Sequence, residues 1–487
     1  MEKNNKILSL VLFLLMSIVS FGQTGTLYRL PIGGDKSMVR QIPGSDMHII
    51  YTYSPASENH FILTDFNMAV DVRVSHDLNV KDFEIIDEYV FFCGDNGGGS
   101  GFLGWFHIDS LFSFQSPVYV DQSLSALGLL SLDNIEVYNN QSGDICIAGY
   151  GVNRALSTKT FYSAFEAVGN LFSGMVYRTL DFYYTGNYAD ITDMTVTDNF
   201  VVYVSDTRNQ FYPNRVGIGV LLHPFPKYNM FGPYPSYVHA YQLTTISQNC
   251  PGNVVPIVSD PYWIPGSVKT SPQIVHSSSD RVAVCTHRRD LLDNCDPNAM
   301  YTSSNITNIQ FDLFPLLGSL SSPVPMTSNI MAQLPLGQLY SMEGFIYDQT
   351  GDRYATLHKR ESTTFPQEHT VTVFDFSLGT PGSVASYYQT FFDTHTGWLP
   401  TDMCLDDAPY YTIVGRDNSN LHQILWHNKI SESSPCVNVV DYPVLSLPLA
   451  VEKTEANLNK PTDWQNLHFL MEPDHEGQYN TTEIMCN

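Results

Sequence analysis

The sequence predicts an all-β fold from its composition, its lack of helical periodicity and an internal repeat. Tyrosine (29 residues) and phenylalanine (28) are abundant, and 32 glycines and 28 prolines supply turns. Aromatic residues favour strands, whereas long amphipathic helices need more charge than the 15% found here. No segment has the length and 3.6-residue periodicity of a major helix.

The repeat is clearest between residues 80–95 (VKDFEIIDEYVFFCGD) and 191–206 (ITDMTVTDNFVVYVSD). Asp82 of the first segment matches Asp193 of the second, and the apolar residues stay in step. A third copy of the same beginning places Asp402 at the equivalent position. Each copy contains a short strand, a polar turn and a strongly apolar strand, so the repeat is a unit of β-structure.

Weaker copies bring the number of units to seven, spaced 44 to 80 residues apart. Short strands repeated at such spacings are typical of propeller blades lengthened by loops. The middle strand reads as a continuous apolar run because neighbouring blades cover both of its faces. The sequence therefore predicts a seven-bladed β-propeller, with six or eight blades as alternatives. The units begin at Met38, Asp82, Asn134, Asp193, Gln273, Met342 and Asp402.

The predicted organisation is a signal peptide at 1–22, a propeller at 23–442 and a C-terminal extension at 443–487. A Pro-rich and aromatic insertion at 223–266 separates the fourth and fifth units. We expect residues 26–31 (TLYRLP) to pair beside the last unit and close the ring, although 437–442 (VNVVDY) competes for that position. The extension is expected to lie along the surface.

The N-terminus has the pattern of a signal peptide. Lys3 and Lys6 precede an apolar run from Ile7 to Val19, and Ser20-Phe21-Gly22 offers a cleavage site. The run is too short to span a bilayer comfortably, and a buried N-terminal helix is the alternative. The prediction is an exported protein, periplasmic or extracellular, without a transmembrane anchor and soluble after cleavage.

The eight cysteines fall into two groups. Four lie in strand-like runs and are expected to be small buried apolar residues, namely Cys93, Cys146, Cys285 and Cys404. Four lie in loop or tail sequence and are the disulfide candidates, with Cys250–Cys295 and Cys436–Cys486 as the suggested pairs. Connectivity does not follow from sequence, and Cys285–Cys295 is a rival pair.

The repeated acids Asp82, Asp193 and Asp402 form the first candidate site. If each begins an innermost strand, their carboxylates face the central channel and can hold a structural Ca²⁺. The alternative is that each aspartate accepts hydrogen bonds from backbone N–H groups at a turn. No other cofactor is expected.

The aromatic insertion is the second candidate site. Its flat, rigid rings suit the apolar face of a sugar or the centre of a protein interface, unless the loop folds down and buries them. The candidate ligand-binding residues are Tyr228, Phe231, Tyr234, Tyr237, Tyr262 and Trp263.

Arg288 and Arg289 form the third candidate, as the densest cationic position in an acidic chain. Paired guanidinium groups can hold a carboxylate or a sulfate. Ion pairs with Asp280, Asp290 or Asp293 are the alternative.

The chain resembles secreted β-propeller proteins of Bacteroidota, many of which have no assigned activity. The resemblance rests on the SFGQ end of the signal peptide and on unit beginnings of the form DF or DM followed by Asp-x-aromatic-Val. It covers about residues 26–440. The Trp-Asp and kelch Gly-Gly signatures are missing, so no known propeller function is transferred.

The functional prediction is a non-catalytic binding or scaffold module that recognises a protein or a glycan. The net charge of −25 disfavours nucleic acid and anionic lipid as partners. The sequence contains no nucleophile elbow, zinc-protease, dinucleotide or P-loop motif. A carbohydrate-active hydrolase or lyase at the channel mouth is the main alternative, and a structural blade array in a larger assembly is the third. The oligomeric state does not follow from the sequence.

Overall fold

A computed structural model gives the fold. It describes residues 26–32, 34–53, 59–65, 68–74, 78–109, 118–156, 159–182, 187–209, 219–227, 237–245, 273–278, 280–291, 301–312, 328–334, 338–348, 353–362, 369–376, 387–392, 398–406, 410–417, 423–429, 437–441, 444–445, 449–457, 461–472, 475–480 and 482–484. The predicted signal peptide lies outside these residues. Among them, none of the helices has the length and hydropathy that crossing a bilayer requires.

The described strands form seven five-stranded antiparallel sheets, which confirms the all-β prediction. Sheets 1 to 6 each contain four consecutive strands. Sheet 1 has β2 (Lys36–Gln41), β3 (His48–Tyr53), β4 (Asn59–Thr64) and β5 (Met68–Val74). Sheet 2 has β6 (Asn79–Ile86), β7 (Tyr89–Asp95), β8 (Gly101–His107) and β9 (Val118–Asp121), followed by a 3-10 helix, Leu124–Leu127. Sheet 3 has β10 (Asn134–Asn139), β11 (Ile145–Leu156), β12 (Lys159–Asn170) and β13 (Gly174–Asp181).

The next three sheets repeat this order. Sheet 4 has β14 (Asn187–Val196), β15 (Phe200–Asn209), β16 (Gly219–Pro226) and β17 (Tyr237–Thr245). Sheet 5 has β18 (Gln273–Ser278), β19 (Arg281–Leu291), β20 (Tyr301–Asp312) and β21 (Ser328–Leu334). Sheet 6 has β22 (Gln338–Asp348), β23 (Arg353–Ser362), β24 (His369–Phe376) and β25 (Tyr387–Phe392).

Sheet 7 joins the two ends of the chain. It contains β26 (Trp398–Leu405), β27 (Tyr410–Asp417) and β28 (Gln423–Lys429), and its fourth strand is the N-terminal β1 (Thr26–Leu30). In the register of this pair, Tyr28 lies opposite Leu425. The N-terminal segment therefore pairs beside the last unit, as the sequence predicts.

The C-terminal residues 437–484, here called the strap, add the fifth strand to all seven sheets. Its strands visit sheets 6, 5, 4, 3, 2, 1 and 7 in that order, so the strap passes every sheet once. The competing segment 437–442 contributes to this strap in sheet 6 rather than to sheet 7, and the strap begins before the boundary predicted at 443. The strap strands are β29 (Val437–Asp441), β30 (Val444–Leu445), β31 (Leu449–Asn457), β32 (Gln465–Asn466), β33 (Leu470–Glu472), β34 (His475–Asn480) and β35 (Thr482–Ile484).

Apolar cores lie between neighbouring sheets. One core joins sheets 1 and 2, and Phe61 at its centre meets the rings of Tyr51, Phe83, Phe92 and Phe106 at centroid distances of 5.1 to 5.6 Å. Further cores join sheets 2 and 3, sheets 3 and 4, and sheets 7 and 1. The second strands β3 and β7 are accordingly buried along almost their whole length.

The first strands of the sheets contact one another in chain order, and β26 of sheet 7 returns to β2 of sheet 1. All seven predicted unit starts fall within these first strands. In β6 and β26 a β-bulge directly precedes Asp82 and Asp402. Gly94 and Gly415 lie opposite the two bulges, where a Cβ atom would collide with a backbone carbonyl of the first strand.

Candidate functional site

Asp82, Asp193 and Asp402 occupy equivalent positions and make the same contact. Each follows a β-bulge in the first strand of its sheet. In all three, Oδ2 accepts a hydrogen bond from a backbone N–H in the first strand of the next sheet. The distances are 3.0 Å from Ile135 N to Asp82, 2.9 Å from Ile274 N to Asp193 and 3.0 Å from Val39 N to Asp402. The repeated aspartate therefore joins neighbouring sheets.

Arg40 of β2 brings two of these aspartates together. Its Nη1 lies 2.8 Å from Asp402 Oδ2 and its Nη2 lies 3.0 Å from Asp82 Oδ1. Its Nε donates to Glu84 Oε1 at 3.0 Å, and its guanidinium lies over the Phe83 ring. The Arg40 side chain is 24% exposed, so one cation serves carboxylates from sheets 2 and 7 in a partly buried position.

Three carboxyl groups near Arg40 have raised pKa values. Burial raises the pKa of Glu84 to about 7, although Arg40 opposes this shift. Burial likewise raises the pKa of Asp193 to about 7, against the hydrogen bonds from Ile274 and Met194. The pKa of Glu136 in β10 lies well above its ordinary value because of burial and the nearby charges of Glu84 and Asp82. The first strands thus bring together more carboxyl groups than Arg40 neutralises.

These contacts bear on the predicted Ca²⁺ site. The alternative is that each aspartate accepts hydrogen bonds from backbone N–H groups at a turn. All three aspartates do accept such bonds, but the donors lie on the neighbouring sheet. A cation bound here would compete with those donors and with Arg40. Ca²⁺ binding by Asp82, Asp193 and Asp402 stays a prediction.

Most of the aromatic insertion lies outside the described residues, including Tyr228, Phe231, Tyr234, Tyr262 and Trp263. Tyr237 begins β17, where its backbone pairs with Asn457 of the strap.

The backbones of Arg288 and Arg289 lie in β19, opposite Asn305 and Ser304. Their side chains fall outside the described part of the chain. Asp280, one of their suggested partners, accepts hydrogen bonds from Thr197 and Asn199 of sheet 4.

The cysteines in strands are buried free thiols, as the sequence predicts. They are Cys93, Cys146, Cys285 and Cys404. The disulfide candidates Cys250, Cys295, Cys436 and Cys486 are outside the described residues, so their pairing stays a prediction.

The strap presents an exposed aromatic ring that the sequence analysis did not select. Trp464 is 41% exposed, and the guanidinium of Arg178 lies 4.2 Å from its ring centroid. Arg178 is buried and donates through Nε and Nη2 to Glu166 Oε2, at 2.9 Å in both cases. The ion pair fixes the cation, and the cation supports the indole ring.

The backbone around Trp464 is equally well fixed. Thr462 N donates to Thr179 O at 2.9 Å, and Thr179 N donates to Thr462 Oγ1 at the same distance. Leu467 N then donates to Met175 O at 2.9 Å. Hydrogen bonds therefore fix the backbone before and after Trp464 in the sequence. The neighbouring side chains of Asp463, Gln465 and Asn466 are polar and exposed.

Three large apolar side chains of the strap and of sheet 3 are also exposed. Leu470 and Met471 of β33 are 70% and 67% exposed, and Phe172 in the turn between β12 and β13 is 82% exposed. Leu467 and Phe469 of the same strap segment instead pack into the core between sheets 2 and 3. Within the segment 461–472, Leu467 and Phe469 therefore anchor the strap, whereas Trp464, Leu470 and Met471 are exposed. We call these three residues and Phe172 the strap surface.

Sequence reasoning missed the strap surface because the tail was treated as a polar extension. The available signal was the run WQNLHFLM at 464–471, which has more aromatic and apolar residues than an exposed tail needs. No protein family model matches this chain, and no curated protein matches it in sequence.

Proposed function

We propose that this chain is an exported seven-bladed β-propeller that acts as a non-catalytic binding module. The seven sheets, the cyclic contacts of their first strands and the cores between neighbouring sheets support this architecture over six or eight blades. The N-terminal strand in sheet 7 is the arrangement by which a propeller joins its first and last blades. Export is inferred from the N-terminal sequence.

The observation that carries the binding function is the fixed, exposed ring of Trp464. A ring held by Arg178 and Glu166 loses little conformational entropy when a ligand stacks on it. Flat aromatic faces bind the apolar faces of sugar rings, and the flanking Asp463, Gln465 and Asn466 supply groups for the hydroxyls. A glycan is therefore the ligand class that we favour at Trp464.

The glycan proposal is tested by a glycan array with the chain from residue 23 onward and three single variants. Trp464→Ala should abolish binding, and Trp464→Phe should restore part of it. Leu470→Ala is the matched control, because this exposed side chain is in the same segment without the Arg178 contact. Binding that is equal in all four proteins would place the sugar elsewhere. The triple variant Tyr234→Ala, Tyr237→Ala, Trp263→Ala then tests the aromatic insertion.

A protein partner is the second candidate, favoured by the high exposure of Leu470, Met471 and Phe172. Exposed apolar patches mark interaction sites, and methionine and aromatic residues are enriched in interfaces. Photo-crosslinkers placed at residues 471 and 172 test this candidate in the native compartment. A specific adduct at these positions, absent with a crosslinker at exposed Asp46, supports a protein partner.

The carbohydrate-active enzyme remains the alternative activity, and one observation favours it. Glu84 and Asp193 combine raised pKa values with positions on the first strands, and a carboxyl with a pKa of about 7 can act as a general acid. Sugar polymers incubated with the protein distinguish the functions. Chain cleavage that Glu84→Gln removes would identify an enzyme, whereas binding without cleavage supports the module.

A further inference from the structure

A second buried cluster of polar groups lies where sheet 7 meets sheet 1. It contains His48 of β3, Cys404 of β26 and Asp406, the residue that follows β26, and all three side chains are buried. His48 Nε2 lies 2.7 Å from Asp406 Oδ1, and Cys404 Sγ lies 3.7 Å from the same oxygen. One ligand atom from each residue lies within 4.8 Å of the other two. Three different donor groups thus converge on one small volume.

The donor types fit a tetrahedral metal ion, and two of their separations are close to those that such an ion requires. Imidazole, thiolate and carboxylate are the protein ligands of Zn²⁺. With metal–ligand distances of about 2.0–2.3 Å, two ligands of a tetrahedral ion are separated by about 3.3–3.7 Å. The Cys404–Asp406 separation of 3.7 Å already meets this requirement. The His48–Asp406 pair is at hydrogen-bond distance and would open by less than about 1 Å when a metal replaces the shared proton.

The charges of the cluster also match a divalent cation. A thiolate and a carboxylate supply two negative charges, so the site with Zn²⁺ is neutral in a position where net charge is costly. Thr412 Oγ1 donates to Asp406 Oδ2 at 3.0 Å and orients the carboxylate through the oxygen that does not face His48. The same hydroxyl lies 3.2 Å from His48 Nε2, so Thr412 contacts two of the three proposed ligands.

We propose that His48, Cys404 and Asp406 bind one Zn²⁺ ion that links sheet 7 to sheet 1. His48 belongs to the first unit of the chain, and Cys404 and Asp406 belong to the last. His48 and Asp406 are 358 positions apart in the sequence. The ion would therefore join the last sheet to the first, where β26 contacts β2. This site is independent of the strap surface and of the proposed glycan.

The test uses the chain from residue 23 onward, freed of metal with a chelator and kept reduced. Equilibrium dialysis against Zn²⁺ with elemental analysis should give one ion per chain. Replacement by Co²⁺ should produce tetrahedral d–d bands and a thiolate-to-cobalt charge-transfer band. This spectrum reports a cysteine ligand in the unaltered protein, so the test does not depend on a variant that folds.

Variants then assign the ligands. Cys404→Ser and His48→Gln should each weaken Zn²⁺ binding by more than about 100-fold, beyond the effect expected for a residue that only orients a ligand. Cys285→Ser is the matched control, because Cys285 of β19 is also a buried free thiol and lies outside the cluster. The proposal is overturned if the intact protein binds no Zn²⁺, if Co²⁺ gives no charge-transfer band, or if both ligand variants bind as the control does. The three residues would then be a hydrogen-bonded link between the sheets.

Discussion

Arg40 and Asp402 form an ion pair between the first and the last sheet, with 2.8 Å between Nη1 and Oδ2. The two residues are 362 positions apart in the chain. The same guanidinium reaches Asp82 and Glu84 of sheet 2, so one side chain of sheet 1 holds carboxylates from both of its neighbours. Because a partly buried carboxylate without a partner is costly, this arrangement should matter more than an ordinary surface ion pair.

Arg40→Ala should lower the free energy of unfolding by about 2–3 kcal/mol, somewhat below the range for fully buried pairs because Arg40 is partly exposed. Arg416→Ala is the matched control, since Arg416 pairs with the more exposed Asp35 at 2.9 Å and should cost under about 1 kcal/mol. Urea unfolding followed by tryptophan fluorescence measures both. If both variants lose the same free energy of unfolding, the ion pairs of Arg40 stabilise the fold no more than an ordinary surface ion pair does.

Asp193 offers a test of the repeated contact without an ion pair. Asp193→Ala removes the acceptor of Ile274 N and leaves this backbone donor without its partner, which should cost about 1–3 kcal/mol. Asp193→Asn keeps an oxygen at the same position and should recover much of that loss. If the asparagine variant is as unstable as the alanine variant, the charge of Asp193 rather than its hydrogen bond links sheets 4 and 5.

The sequence was sufficient to predict the units of the fold. The starts at Asp82, Asp193 and Asp402 were visible because each unit places an aspartate after a bulge and then a strand buried on both faces. Burial of this kind imposes an apolar run of fixed length, and the bulge fixes the position of the polar residue. Both constraints act on side chains and therefore leave a pattern in the sequence.

The strand pairing of the strap and the contacts of Arg40 could not be predicted for the opposite reason. Strap strands such as β30 and β32 pair through backbone groups, which any residue supplies, and their short length leaves no periodicity. Arg40 is a single cation whose partners come from other sheets, so nothing near it in sequence marks its role. Trp464 was missed with the strap, because its support by Arg178 exists only once the tail lies on sheet 3.

Removal of the strap should cause self-association. A chain that ends at residue 436 exposes an edge strand on every sheet, and unpaired edges are templates for pairing with other chains. Size-exclusion chromatography with light scattering should show oligomers or aggregates. A chain that ends at Ile484 keeps all described strap strands and should elute as the full chain does. A monodisperse, folded protein ending at 436 would contradict the idea that the strap protects the edges.

The raised pKa of Glu136 should make the stability of the fold depend on pH. Its pKa is raised in the folded protein by burial and by Glu84 and Asp82, so the folded state binds this proton more tightly than the unfolded state does. The resulting stabilisation is fully present below the ordinary glutamate pKa of about 4.3 and is lost as the pH rises through the raised value. Each pH unit in that interval is worth about 1.4 kcal/mol for one such group.

The intact protein should therefore unfold at a lower temperature at pH 8 than at pH 5. Asp193 and Glu84, each with a pKa of about 7, contribute in the same direction. Glu136→Gln keeps the shape of the side chain without a charge, so it should raise the unfolding temperature at pH 8 and change it little at pH 5. Asp46→Asn is the control, because Asp46 is exposed and its replacement should change the pH profile little. A profile that is flat in the intact protein, or a difference between pH 5 and pH 8 that Glu136→Gln does not reduce, would show that Glu136 is ionised in the folded state at little cost.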